Sequence, residues 1–152
     1  MIRSRYFKPH ELIEPSILEV LKDETAMCLI GQFICDCLDT LRSEYEDAVR
    51  LAGRYNSAKD GWITINGNYY GQTFKYSGVR SKNCPIGAKH SKHKLGIAFD
   101  LKCLHLDLLL YLVKNHWGNY HVARIENPDI TVPRGWLHVE FGFGQELTIF
   151  NP

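Results

Sequence analysis

The stretch Ser91–Asp100, SKHKLGIAFD, changes character halfway along and carries His93 and Asp100 on either side of the change. Lys92, His93 and Lys94 close a polar run, VRSKNCPIGAKHSKHK, that reads as loop, whereas GIAFDLKC reads as a buried strand. A plain surface loop has no use for that apolar run, and a plain strand would be more apolar throughout. An imidazole and a carboxylate held at a fixed offset across a loop-to-strand junction form part of a metal-ligand set.

The missing part lies downstream in Gly135–Phe141, GWLHVEF. Side chains alternate along a strand, so Leu137, Val139 and Phe141 face one way and Trp136, His138 and Glu140 the other. The first set is apolar and belongs in a core, which turns His138 toward a cleft with Trp136 as part of its wall. A catalytic zinc takes three protein ligands and keeps a fourth position open. His93, Asp100 and His138 supply two nitrogens and one oxygen for it.

Outward from these strands the chain reads as helices first, then strands with one intervening helix. PHELIEPSILEVLKD predicts a short amphipathic helix, and a longer one is predicted from about Glu24 to Tyr55, where Ile30, Ile34, Leu38, Leu41, Tyr45 and Val49 recur at helical spacing. WITINGNYYGQTFKYSG is rich in β-branched and aromatic residues, with Asn66-Gly67 as a hairpin signal. Tyr69, Tyr70 and Tyr76 read as packing within it. LHLDLLLYLVKNHW predicts a helix, and YHVARIE and GWLHVEFGF two final strands joined by NPDITVPR. This order predicts an α+β domain, with N-terminal helices packed on an antiparallel sheet.

Composition sets bounds. The 152 residues, 45% of them hydrophobic, suit one domain spanning 1–152. Lys plus Arg (18) nearly cancels Asp plus Glu (17), so no basic footprint points to nucleic acid, and a histidine-based nuclease is disfavoured. Three of the five cysteines, Cys28, Cys35 and Cys37, fall in one apolar stretch, and Cys84 and Cys103 stand alone. Without zinc-ribbon spacing they read as reduced thiols of a cytosolic protein. The N-terminus lacks the apolar core of a signal peptide, and no run reaches the ~18 apolar residues that span a bilayer, so no stable membrane insertion is expected.

The stretch 77–100, SGVRSKNCPIGAKHSKHKLGIAFD, resembles the signature of the zinc D-alanyl-D-alanine peptidases: S-G-x-R-S, then N, then G-A, then S-x-H-x-x-G-x-A-x-D. This family includes D-Ala-D-Ala carboxypeptidases, VanX-like dipeptidases and phage endolysins that share the Hedgehog amino-terminal fold. Glu126 and the WLH of 136–138 resemble its distal half, and YFKPHEL and LDTLR look like its lead-in segments. The resemblance implies His93, Asp100 and His138 as ligands of Zn2+. It implies Arg80 as the group that binds a substrate carboxylate or an oxyanion, with Ser91 and Trp136 also touching substrate. A guanidinium suits Arg80's role because it stays charged and offers a planar fork of donors.

The general base has two candidates. Many relatives carry a carboxylate three residues before the last ligand, where this chain has Gly135. Glu126 closes the preceding strand, and a hairpin through NPDITVPRG sets it beside His138, while Glu140 shares the face of His138. Glu126 is favoured as base, and Glu140 is its alternative or an orienting partner. His90 lies near the site, and His10, His105, His116 and His121 have no ligand spacing.

The resemblance implies a zinc metallopeptidase that hydrolyses stem-peptide bonds of bacterial peptidoglycan, as a carboxypeptidase or as an endolysin-type endopeptidase in cell wall degradation. Without a signal peptide it suits a phage enzyme of host lysis, made in the bacterial cytoplasm and released by a partner pore protein. A bacterial dipeptidase is the competing setting. The alternative from another class is a non-catalytic, zinc-stabilised wall-binding or phage structural module on the same fold.

Overall fold

Proline and glycine decide where the N-terminal helices stop. A computed structural model describes residues 1–69 and 71–152; Tyr70 lies outside the described residues. PHELIEPSILEVLKD is two single turns, α1 (Pro9–Leu12) and α2 (Pro15–Leu18), rather than one helix. Pro15 disfavours helical geometry at Glu14, which is extended (φ −57°, ψ 137°). The freed backbone is used: Val79 N–H donates to Leu12 O at 2.7 Å and Glu14 N–H to Val79 O at 2.9 Å. The long helix predicted from Glu24 is likewise divided into α3 (Asp23–Met27) and α4 (Gln32–Leu51). Gly31, at φ +82°, turns the chain between them.

α4 buries Ile34, Leu38, Leu41, Tyr45 and Val49 along one face. Its end is a Schellman arrangement, with Arg54 N–H on Val49 O and Gly53 N–H on Arg50 O, both at 3.0 Å, and Gly53 at φ +67°. The apolar faces of α4 and α5 (Leu106–His116) join the sheet residues in one buried cluster that includes Phe99, Leu101, Leu137, Val139 and Phe141.

Among the described residues the strands form two sheets. The smaller pairs β1 (Gly67–Tyr69) with β2 (Gln72–Phe74), Tyr69 opposite Gln72. Asn66-Gly67 therefore opens the first strand instead of making the turn. The larger sheet has the order β3 (Ala98–Leu101), β5 (Leu137–Phe141), β4 (Val122–Glu126), β6 (Thr148–Phe150). β5 is antiparallel to both neighbours, but β6 runs parallel to β4, so the sheet is mixed and not purely antiparallel. The chain reverses once after β5 and passes over β4 to its far edge, which aligns β6 with β4. α6 (Pro128–Thr131) and a 3-10 turn at Val132–Arg134 fill the β4–β5 connection. The architecture is α+β.

Candidate metal centre

The register of the larger sheet builds the site. Asp100 pairs with His138, Ala98 and Arg124 both pair with Glu140, and Ile125 pairs with Val139. Paired residues share a face, so Asp100, His138, Glu140, Arg124 and, one step beyond Ile125, Glu126 stand on the face opposite the core. His93 comes from outside the sheet, on a 3-10 turn at Lys92–Leu95. Gly96 closes that turn at φ +71°, and a Cβ there would run into the Leu29 carbonyl of the α3–α4 turn. Its smallness thus serves contact with the helical layer.

The three ligand atoms lie within 4.8 Å of one another. Asp100 Oδ1 is 2.7 Å from His138 Nδ1 and 3.4 Å from His93 Nε2. His93 Nδ1 is 3.0 Å from Gly78 O; a carbonyl only accepts, so Nδ1 carries a proton, and Nε2 is the ring nitrogen left to a metal. Gly78 can offer that carbonyl because a Cβ there would collide with the Leu12 carbonyl, and its segment must lie against α1. Donors about a tetrahedral ion with bonds of ~2.0–2.1 Å stand ~3.3–3.4 Å apart. The His93–Asp100 separation already meets that spacing, and the shorter His138–Asp100 contact is a hydrogen bond that a metal would replace. Two imidazoles and one carboxylate in this arrangement can hold a metal ion.

Charge follows the same geometry. Burial alone would raise the carboxyl pKa of Asp100, but His138 and His93 outweigh it and hold Asp100 well below the carboxylate range. Burial likewise opposes the imidazolium of His138, yet Asp100 and Glu140 overcome it and raise its pKa to about 9. His138 Nε2 faces Glu140 Oε1 at 3.7 Å, and Arg124 Nη1 binds Glu140 Oε2 at 3.1 Å. Beneath the site, Lys102 Nζ donates to the Asp100 and Ile65 carbonyls, each at 3.1 Å, and to Ser77 Oγ. Burial lowers the Lys102 pKa to about 8.

Arg80 is buried beside the ligands. Its Nη2 binds Asp100 Oδ2 at 3.2 Å, its Nε donates to the Tyr76 carbonyl, and its Nη1 lies 3.5 Å from Ile86 O. A Cβ on Gly87 would sit 2.8 Å from Nη1, so that glycine keeps room for the guanidinium. The cleft over the ligands has a volume of about 480 Å3, and Arg80, Ser91, Glu126, Trp136 and Glu140 line it, as does His90. Every residue nominated from the sequence therefore meets in one cleft. Tyr76 is 39% exposed and lines the adjoining groove with Phe74 and Trp136, so it is not core packing.

Sequence reading missed Arg124 and the Phe150–Pro152 edge of the cleft. Arg124 had a signal, since it precedes Glu126 by the strand period. The short β6 had none. Its Phe150 ring lies 5.9 Å from that of His138 and under the Arg124 guanidinium at 4.3 Å.

No family model, curated protein or solved structure matches the chain. The chemistry of the site therefore rests on its own atoms.

Proposed function

We propose that this protein is a zinc-dependent peptidase that hydrolyses a stem-peptide bond of bacterial peptidoglycan, on the Hedgehog/DD-peptidase fold its motifs resemble. The observation that carries this reading is the convergence of His93, Asp100 and His138 on the floor of an open cleft that Glu126 also lines. Zinc in such a donor set supplies Lewis acidity, acidifying water and polarising a carbonyl group.

The two carboxylates divide the remaining work. Glu140 is engaged by Arg124 and faces His138 Nε2, which suits it to orienting that ligand. Glu126 makes no side-chain hydrogen bond or ion pair among the described residues, so its oxygens are free to accept a proton from water and pass it to the leaving amine. The position nearer the last ligand cannot serve, because Gly135 has no side chain, and its φ of +94° is one that other residues rarely adopt. Arg80 fixes Asp100 through Nη2, and its terminal nitrogens keep N–H groups for a substrate carboxylate or the developing oxyanion. Ser91 and Trp136 flank the bound peptide. The setting that fits is a phage lysis enzyme acting on the wall of its host.

Purified protein incubated with peptidoglycan or synthetic stem peptides should release fragments identifiable by mass spectrometry, and a chelator should stop it. Glu126→Gln should lower kcat by about 10²–10⁴ while metal content stays unchanged. Turnover that survives complete metal removal would end the proposal. Stoichiometric retention on sacculi with no fragments released would instead favour the zinc-stabilised binding module.

A further inference from the structure

α4 carries a further buried cation, Arg42, whose charge the fold leaves unanswered. Arg42 is 8% exposed, yet it makes no ion pair among the described residues. Its Nη1 donates to Ile63 O at 3.2 Å, and its Nε is buried without a hydrogen-bond partner. The carboxylates whose field it feels are engaged elsewhere: Glu46 with Arg50 and Tyr55, and Glu11 with the Lys8 backbone N–H. The rings of Tyr6 and Trp62 flank the guanidinium, their centroids 5.6 and 5.9 Å from its carbon. Such contacts stabilise a cation without neutralising it. A buried charge that lacks a counter-charge is costly, so a fold that retains one either gains an anion or loses stability.

The surroundings supply a place for that anion. Arg42 lines a cavity of about 390 Å3 together with Arg5, Lys8, His10, Tyr6 and Trp62. Three permanent cations thus stand against one carboxylate, Glu11, also at the wall. The cavity shares no lining residue with the metal cleft. It is far larger than an inorganic oxyanion, and Trp62, 48% exposed, offers a flat apolar wall beside the cations.

We propose that this cavity binds an organic phosphate, with the phosphate group on Arg42, Lys8 and Arg5 and the organic part against Trp62. A planar guanidinium with a spare donor and two exposed cations at the rim suit a tetrahedral, doubly charged group.

The test titrates the full chain with phenyl phosphate, inorganic phosphate and benzoate at constant ionic strength, with chloride as control. Tryptophan fluorescence and thermal unfolding are followed. Saturable changes are expected for phenyl phosphate, weaker ones for inorganic phosphate and the weakest for benzoate. Arg42→Met should abolish them, and Lys8→Ala, at an exposed rim position, should weaken phenyl phosphate by about tenfold, the scale of one charge-assisted hydrogen bond. Trp62→Phe assigns the fluorescence change to that ring. If Arg42→Met does not fold, Lys8→Ala decides alone. A response indistinguishable from chloride, or one unchanged in Lys8→Ala, overturns the proposal.

Discussion

Asp100 offers Oδ1 to both imidazoles and Oδ2 to Arg80, while its backbone N–H donates to Ser77 O at 2.8 Å. One carboxylate thereby ties the 77–80 segment, the 3-10 turn, β3 and β5 into a single site. Its ionised state is held by the imidazoles against burial, so the negative charge a cation needs is present at any physiological pH. Replacing His93 or His138 by Ala, or Asp100 by Asn, is expected to weaken zinc binding by at least ~100-fold, read by competition with a chromophoric chelator. Glu140→Gln, which alters only the partner of His138 Nε2, should cost about 10–100-fold. Equal affinity in Asp100→Asn would exclude the ligand set.

Glycines set where the helices and turns meet. Gly31 breaks the helical run and brings the Leu29 carbonyl over Gly96, the residue that ends the His93 turn. The helical layer therefore holds the turn that carries a ligand. Gly96→Ala combines a left-handed φ with a backbone collision and should cost about 2–5 kcal/mol in urea unfolding. Gly53→Ala has the same sign of φ but nothing within 4 Å of the added methyl, and should cost only about 1–2 kcal/mol. Similar losses at both positions would show that the contact with Leu29 carries no weight.

Across the molecule, a net charge of +1 conceals uneven placement: Arg5, Lys8 and Arg42 face Glu11 alone around the Arg42 cavity, whereas Arg80, Lys92 and Arg124 are matched by Asp100, Glu126 and Glu140 in the cleft over the ligand trio. The five cysteines are all unpaired, and Cys28 is exposed while the other four are buried. Burial pushes Cys35 and Cys103 up to about 12 and Cys37 to about 11, so almost no thiolate forms at those positions near neutrality. A disulfide-exchange reagent at pH 8 should label Cys28 rapidly in the folded protein and the remaining thiols only on unfolding. Rapid labelling of two or more thiols before unfolding would contradict this packing. No helix among the described residues is long and apolar enough to cross a membrane.

Local chemistry made much of this legible in the chain. Period-two alternation in GWLHVEF separates Leu137, Val139 and Phe141 from His138 and Glu140, because neighbouring side chains on a strand must point to opposite faces. Helical spacing found α4, since it records which face an element buries. Breaks were less visible: the apolar period runs straight through Gly31, and the Asn66-Gly67 pair looks like a turn although it opens β1. The parallel placement of β6, the Arg124–Glu140 pair and the uncompensated Arg42 could not be read along the chain at all. Each depends on which segments lie side by side, and burial and charge pairing acquire values only once distant backbones are packed together.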